Sequence, residues 1–261
     1  MPRIAALVPH YGAEEYLVEA VTSLLRQDHR DLEVHVADDA SPDDRWLEAL
    51  APLRSDPRLI LWRSSNNVGP YRIKNVLLGR IDAPVIALQD ADDRSHPQRL
   101  SRQLAHMEHT SADLVGCWAR YITPNGRLYW IGPVPSDINF WLRVGLPSTI
   151  RHPTAIMRRS MFDILRGYDG STKFGADQEF ILRAGYLHKL RNLASPLYDL
   201  RQTRGSLSRS AATGMRSEAR RLYWARYRAE ELLRRQAPDR ERLLELLIPP
   251  ANDVDFSLER V

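Results

Sequence analysis

Two acidic clusters stand out by residue type and spacing. Asp90-Ala91-Asp92, followed by Asp93, puts two carboxylates two positions apart, directly after the apolar run Val85-Ile86-Ala87-Leu88. At the end of a strand such a pair can share one hard cation. Mg2+ or Mn2+ prefers oxygen donors and bridges readily to a diphosphate. Neutralising charge on a departing diphosphate is the chemistry this pair could support. Asp38-Asp39-Ala40-Ser41 is the second cluster, where a carboxylate can accept hydrogen bonds from a base N–H and from ribose hydroxyls. Each cluster also has a structural reading. The first can be an acidic turn capping the helix after it, and the second a strand-to-helix turn with Asp or Ser as cap.

The elements that must hold these clusters follow from hydrophobic periodicity. Residues 4–9 form a short apolar run that reads as a buried strand, and Leu17, Ala20, Val21, Leu24 and Leu25 then fall at helical spacing. Residues 33–37 and 59–62 read as further strands, residues 71–78 as a helix that Pro70 can start, residues 84–88 as a fourth strand and residues 97–109 as a helix. The alternation predicts an α/β fold with a doubly wound, mixed sheet, largely parallel in this half. Ligands of such sheets bind beyond the carboxyl ends of the strands, where both clusters fall. Pro124-Asn125-Gly126 predicts a hairpin between residues 113–123 and 127–131. Residues 136–145 read as a helix with Ser136 as cap, 154–157 as a strand and 177–185 as a short helix. Residues 214–248 read as helical with a break near Pro238, and the polar tail after Pro249-Pro250 as loose. Two units are therefore expected, 1–213 and a helical, arginine-rich extension over 214–261.

Composition sets outer bounds. The chain has 261 residues, 43% of them apolar and 27% charged, which suits one globular domain with an addition. The formal charge of +4 suits anionic ligands and does not call for nucleic acid. Lys74, Lys173 and Lys189 apart, the basic residues are arginines, either from codon usage or for bidentate phosphate binding. Cys117 is alone, so no disulfide framework or cysteine-rich metal site is expected. With neither a leader pattern in residues 1–12 nor an apolar run of the roughly 18 residues that span a bilayer, a cytoplasmic protein is expected, at most peripheral at a membrane's inner face.

Five ordered motifs add a resemblance. The opening Leu7-Val8-Pro9-His10-Tyr11, with Tyr16-Leu17 and Ser23-Leu24-Leu25-Arg26-Gln27, resembles the start of glycosyltransferase family 2. Ala37-Asp38-Asp39-Ala40-Ser41 resembles its Val-Asp-Asp-Gly-Ser. Asn67-Val68-Gly69 with Lys74-Asn75 resembles its Asn-x-Gly followed by Arg-Asn. Gln89-Asp90-Ala91-Asp92-Asp93 with Pro97, Arg99-Leu100 and Gln103 resembles its metal motif and the helix beyond. Gly167-Tyr168-Asp169 and Gly175-Ala176-Asp177-Gln178-Glu179 resemble its acceptor-side segment. The resemblance covers about residues 3–210.

It implies a GT-A-like fold with a Rossmann-like nucleotide-binding half, and inverting transfer of a sugar from a nucleotide-sugar, a UDP-sugar above all, to a hydroxyl of a glycan, lipid-linked or other acceptor. It also implies roles. Pro9 and Tyr11 line the nucleoside pocket, Asp39 faces the base with Asp38 beside it, and Asn67 and Lys74 lie near base or phosphates. Asp90 approaches ribose or metal, Asp92 binds Mn2+ or Mg2+, and Asp177 is the general base, its alternative being a helix cap. Ala176 replaces a frequent Glu beside the base, and Thr203 lies where the family often has a His; Arg201 or Arg204 is a substitute phosphate ligand. His152 reads as an acceptor contact or a satisfied structural histidine, and Trp118, Trp130 and Trp141 as core or as sugar platforms. The arginine-rich stretch 215–242 reads as a solvated helix packed on the domain, or as a contact for anionic lipid, a protein partner or an anionic acceptor. Two alternatives remain: a sugar nucleotidyltransferase, against which the lack of a glycine-rich basic loop near the N-terminus counts, and a non-catalytic carbohydrate- or partner-binding protein on a transferase fold.

Overall fold

The computed structural model describes residues 2–12, 14–145, 150–203, 214, 217–249 and 256–261. Arg204 and Arg216 lie outside the described residues.

A run of apolar residues buried on both faces makes the natural centre of a parallel sheet, and β1 (Ile4–His10) is such a run. It pairs in parallel with β2 (Leu32–Asp38) on one side and β4 (Val85–Leu88) on the other, and β3 (Leu59–Ser64) extends the sheet beyond β2. Helices α1 (Glu14–Leu25), α2 (Arg45–Leu50) and α3 (Pro70–Arg80) connect them. Pro70 occupies the first turn of α3, where its missing N–H has no ladder to break.

Beyond β4 the directions mix. The sheet order is β10-β3-β2-β1-β4-β8-β6-β9-β5, with β7 paired to β6. The further strands are β5 (Arg94–Ser95), β6 (Leu114–Ile122), β7 (Leu128–Gly132), β8 (Ile156–Arg158), β9 (Leu190–Arg201) and β10 (Leu258–Arg260). β8 is antiparallel to both β4 and β6, whereas β9 runs parallel to β6. Helices α4 (Arg99–Thr110), α5 (Ile138–Arg143), α6 (Arg159–Leu165), α7 (Ala176–Leu187), α8 (Glu218–Arg235) and α9 (Arg240–Leu246) complete the described elements. The mixed, doubly wound sheet with a helical C-terminal part agrees with the sequence expectation.

Four local differences have physical causes. Asp137, not Ser136, caps α5, accepting from Phe140 N at 3.0 Å. The long strand β9 was not expected, because Asn192, Ser195 and Pro196 interrupt its alternation and no turn signal flanks it. Trp130 is no core residue: it lies half-exposed on β7. The polar tail ends in order, since Leu258–Arg260 adds an antiparallel strand to β3 and Leu258 is buried against the core. Among the described residues no helix is long and apolar enough to cross a membrane.

Two apolar cores flank the sheet, one on α1, α2 and α4, the other on α3, α6 and α7. Cys117 is buried between strands, and burial pushes its thiol up to about 11.

Candidate active site

The strand order switches direction between β1 and β4, and the ladder joining them ends at Leu7↔Leu88. Beyond that row the two strands are free to diverge, which opens a crevice at their carboxyl ends. A cleft of about 1210 Å³ lies there, lined by Pro9, Tyr11, Asp39, Asn67, Asp90 and Asp92 from the first half and by His152, Asp177 and Thr203 from the second. A smaller depression of about 410 Å³ beside α5 and α7 contains none of the acidic residues singled out from the sequence.

On the side formed by the first half of the chain, Tyr11 projects at the cleft's mouth, 56% exposed. Asp39 accepts from Val68 N at 2.7 Å and Gly69 N at 2.8 Å, so its carboxylate fixes the turn that starts α3. Burial raises its pKa against these two donors and Lys173. Asn67 donates to Asp39 O at 3.1 Å and accepts from Lys173 Nζ. Gly69 has a φ of +92°, and a Cβ there would sit 2.8 Å from Lys173 Cγ; only glycine meets both demands. Asp38 is buried away from the cleft lining. His10 Nδ1 lies 3.0 Å from its Oδ1, and Ser41 N donates to Oδ2 at 3.0 Å. Burial pushes the Asp38 carboxyl up, but the hydrogen bonds of His10 and Ser41 outweigh it and hold the pKa below the ordinary value.

Asp90, Asp92 and Asp93 follow β4 in a tight turn. Asp90 N donates to the Tyr198 hydroxyl at 3.1 Å, and Asp93 accepts from Arg201 N at 2.7 Å. Arg201 donates from Nε to Asp92 O at 2.8 Å and from its guanidinium to Glu19 and Pro124 O. Its guanidinium is therefore committed to holding this turn. Burial raises all three carboxyls; Asp90 adds its charge to Asp92, which reaches about 6, and Asp92 and Asp90 act likewise on Asp93. The Thr203 hydroxyl stands 3.5 Å from Asp92 Oδ2.

No group of three or more His, Cys, Asp or Glu that could hold a metal occurs among the described residues. Two carboxylates lining an open cleft, Asp92 raised by the charge of Asp90, still fit a hard cation that takes its remaining ligands from substrate phosphate and water.

Asp177 lies in the first turn of α7. The N-cap is Gly175, without any side-chain cap bond. The Asp177 carboxylate turns instead to Tyr71, whose hydroxyl donates to Oδ1 at 2.8 Å. Burial, and then the Asp177 charge, drive the Tyr71 pKa well above its ordinary value, so Tyr71 stays a donor. Lys74, buried behind these groups, has its Nζ 5.6 Å and 5.9 Å from the Tyr71 and Tyr168 ring centroids. Burial lowers its pKa, against the charges of Asp90 and Asp177. His152 lies 2.7 Å through Nε2 from the Tyr168 hydroxyl. Burial and Lys74 push its pKa down to about 3, so it is neutral at physiological pH. Ala176, where a Glu was the expected neighbour, is fully buried in the core, and Glu179 is bound to Arg183 at 2.7 Å and Arg234 at 3.0 Å.

The cleft thus gathers Pro9, Tyr11, Asp39, Asn67, Asp90, Asp92 and Asp177, with Lys74 and Asp38 just behind its wall. Tyr71 and Lys173 were not singled out from the sequence: the Tyr71–Asp177 bond joins residues far apart in the chain, and no local pattern encodes it. Tyr71→Phe removes the hydroxyl that donates to Asp177 in a part-buried setting. A hydrogen bond to a charged group contributes about 1.5–3 kcal/mol, so kcat for any reaction using Asp177 should fall roughly tenfold to a hundredfold, with the KM for a cleft-bound nucleotide unchanged. Steady-state kinetics check this; an unaltered kcat would refute the positioning role.

Comparisons with known proteins converge on one family. Residues 5–166 match the family model described as Glycosyl transferase family 2. The chain is 29% identical over 227 residues to the putative glycosyltransferase EpsE of Bacillus subtilis (strain 168), covering 81% of this chain and 77% of that protein. It is 32% identical over 114 residues to the succinoglycan biosynthesis protein ExoO of Rhizobium meliloti (strain 1021), covering 44% of this chain and 32% of that protein. Among solved structures it is similar in fold to S. aureus TarS 1-349 in complex with UDP-GlcNAc, with a TM-score of 0.64, 22% identity, and coverage of 78% of this chain and 60% of that one. The mannosyltransferase PcManGT of Pyrobaculum calidifontis, in complex with GDP-Man and Mn2+, gives a TM-score of 0.61 at 17% identity, covering 94% of this chain and 68% of that one.

Proposed function

The chain belongs to glycosyltransferase family 2, and from that premise we propose that it moves a sugar from a UDP-sugar to an acceptor hydroxyl with inversion, Asp177 serving as general base. The observation that carries this reading is the meeting in one cleft of Asp39 and Tyr11, the Asp90–Asp92 pair, and an Asp177 freed from capping and oriented by Tyr71.

Pro9 and Tyr11 flank the nucleoside, Tyr11 offering a ring to the base. Asp39 accepts from the base, its two backbone donors leaving lone pairs on a carboxylate that has about four. Asn67 extends that edge, and Asp38 holds the turn through His10 and Ser41. Asp90 faces the ribose. Asp92 with Asp90 would hold Mn2+ or Mg2+, which supplies charge neutralisation for the diphosphate. Lys74 balances the acidic cluster from beneath. Asp177 takes the acceptor hydroxyl's proton as the oxygen forms its bond to the anomeric carbon, while UDP departs from the opposite side. TarS and PcManGT, solved with nucleotide-sugars, support the donor class, and Mn2+ in the latter supports the cation.

The test is thermal unfolding with a panel of nucleoside diphosphates, with and without Mn2+ or Mg2+. A ligand of the native state raises Tm, and UDP with cation should raise it most. No shift with any nucleotide, or a purine preference, would overturn the donor assignment.

The acceptor is a glycan, lipid-linked saccharide or other hydroxyl compound, and the helical extension supports delivery at a membrane surface within the cytoplasm. On α8, Arg221 and Arg228 run at heptad spacing with Arg235 beside Leu222, Leu232 and Leu233, which are 65%, 55% and 53% exposed. Basic residues flanking an apolar stripe suit an anionic lipid surface. Each basic side chain near such a surface contributes about 1 kcal/mol. Arg221→Glu with Arg228→Glu should therefore weaken co-sedimentation with phosphatidylglycerol vesicles at least tenfold; equal sedimentation would count against the contact.

A further inference from the structure

We propose that the aromatic face of the β6–β7 hairpin is a saccharide-binding platform that receives sugar units of the acceptor outside the catalytic cleft. This rests on the transferase reading above.

Among the described residues β7 pairs with β6 alone, and Leu128, Tyr129, Trp130 and Ile131 are 46%, 54%, 50% and 40% exposed, Ile131 on the face opposite Trp130 because neighbouring strand residues alternate. None of the hydrophobic cores includes them. Isolated apolar residues on a surface need no explanation, but a contiguous group marks a binding site. Its shape narrows the occupant. Trp130 stands opposite Tyr121 in register, with ring centroids 4.7 Å apart and an interplanar angle of 37°. Tyr129 lies 6.4 Å from the same tyrosine ring. Gly132 sits beneath this pair: a Cβ there would be 2.6 Å from Tyr121 Cε2 and 3.1 Å from Trp130 Cζ3. A side chain there would have to displace one of the rings. The glycine therefore leaves room for the two rings to pack against each other, with the outer face of Trp130 half exposed. Such a surface suits the C–H face of a pyranose, which is apolar, flat and slightly positive towards an aromatic quadrupole.

The platform is joined to the cleft. Register partners share a face of a sheet, and Trp130, Tyr121 and Leu200 form one such row across β7, β6 and β9. Leu200 lines the cleft. Two strand spacings separate Trp130 from it, about 10 Å, on the order of two sugar units. The hairpin turn is also tied to the acidic cluster, because Arg201 donates both to Pro124 O and to Asp92 O. A chain of sugars with its reacting hydroxyl at Asp177 could thus extend along a rigid surface. A membrane or a second copy of the chain would use the apolar area but would have no need of a row of side chains running in register into the cleft.

The experiment titrates purified full-length protein with maltotetraose, cellotetraose, chitotetraose and isomaltotetraose by ligand-observed NMR, and with UDP by calorimetry. It compares wild type, Trp130→Ala and Trp130→Phe. All three keep the core intact, as equal Tm values will show. At least one tetrasaccharide should bind wild type, lose about tenfold in affinity in Trp130→Ala and recover most of it in Trp130→Phe, while UDP binding stays constant. Equal tetrasaccharide affinity in wild type and Trp130→Ala overturns the platform, as does the absence of binding by all four. Loss of vesicle co-sedimentation or of self-association in Trp130→Ala, with saccharide binding unchanged, overturns it in favour of those occupants. Failure of UDP to bind wild type strikes the transferase reading instead and leaves the saccharide titration to be judged by itself.

Discussion

Asp177→Asn is expected to lower transfer by about 10²–10⁴-fold, the usual contribution of a general base, while the fold and UDP affinity stay as in wild type. The substitution is close to isosteric. The amide oxygen can still accept from the Tyr71 hydroxyl, so the bond observed at 2.8 Å survives. α7 does not depend on the carboxylate for its cap, because Gly175 occupies that position. What is lost is basicity alone. A UDP-release assay at saturating donor and cation, with an acceptor that supports wild-type turnover, measures the effect. Wild-type rates in Asp177→Asn would return the residue to a structural role.

Asp92→Asn should abolish cation-dependent turnover. Changing a residue behind a metal ligand costs about 10–100-fold in affinity, and removing a ligand should cost at least the upper figure. The wild-type site should also show a distinctive pH dependence. Burial and the Asp90 charge raise the Asp92 carboxyl from 3.8 to about 6. A raised acid penalises the folded state when ionised. That penalty is absent below 3.8, grows through the window up to about 6 and is complete above it. One pKa unit corresponds to about 1.4 kcal/mol, so the penalty is on the order of 3 kcal/mol. A bound cation offsets it. Mn2+ with UDP should therefore raise Tm more at pH 7.5 than at pH 5, and affinity should fall about tenfold per pH unit below 6 as a proton competes. In Asp92→Asn the contrast should disappear. Full activity of that variant at limiting cation would falsify the assignment.

The nucleotide half was legible because each of its elements is written locally. The run from Ile4 and the helix through Leu17, Ala20, Val21, Leu24 and Leu25 carry their own periods, and both acidic clusters directly follow a strand. The second half was less so. β9 begins straight after α7 and carries Asn192, Ser195 and Pro196 within it, which blurs its alternation. Tyr71 is an ordinary buried helix residue until the tertiary fold brings Asp177 to its hydroxyl. Asp39 was read as a base ligand from its position, but its hold on Val68 N and Gly69 N ties together two motifs that the sequence presents separately. Asp39→Ala would accordingly loosen the start of α3 as well as any contact to the base.

The antiparallel pairing of Leu258↔Ser64 has a consequence for biosynthesis. β3 is an outer strand of the nucleotide half until β10 arrives from roughly 190 residues later in the chain. At translation rates of about 5–20 residues per second, that edge waits on the order of 10–40 s on the ribosome with its backbone donors and acceptors unpaired. An open edge is a template for pairing with another chain. The nascent protein therefore passes through an interval in which that edge is not yet protected, and its yield should depend on elongation speed and on chaperones that shield strand edges.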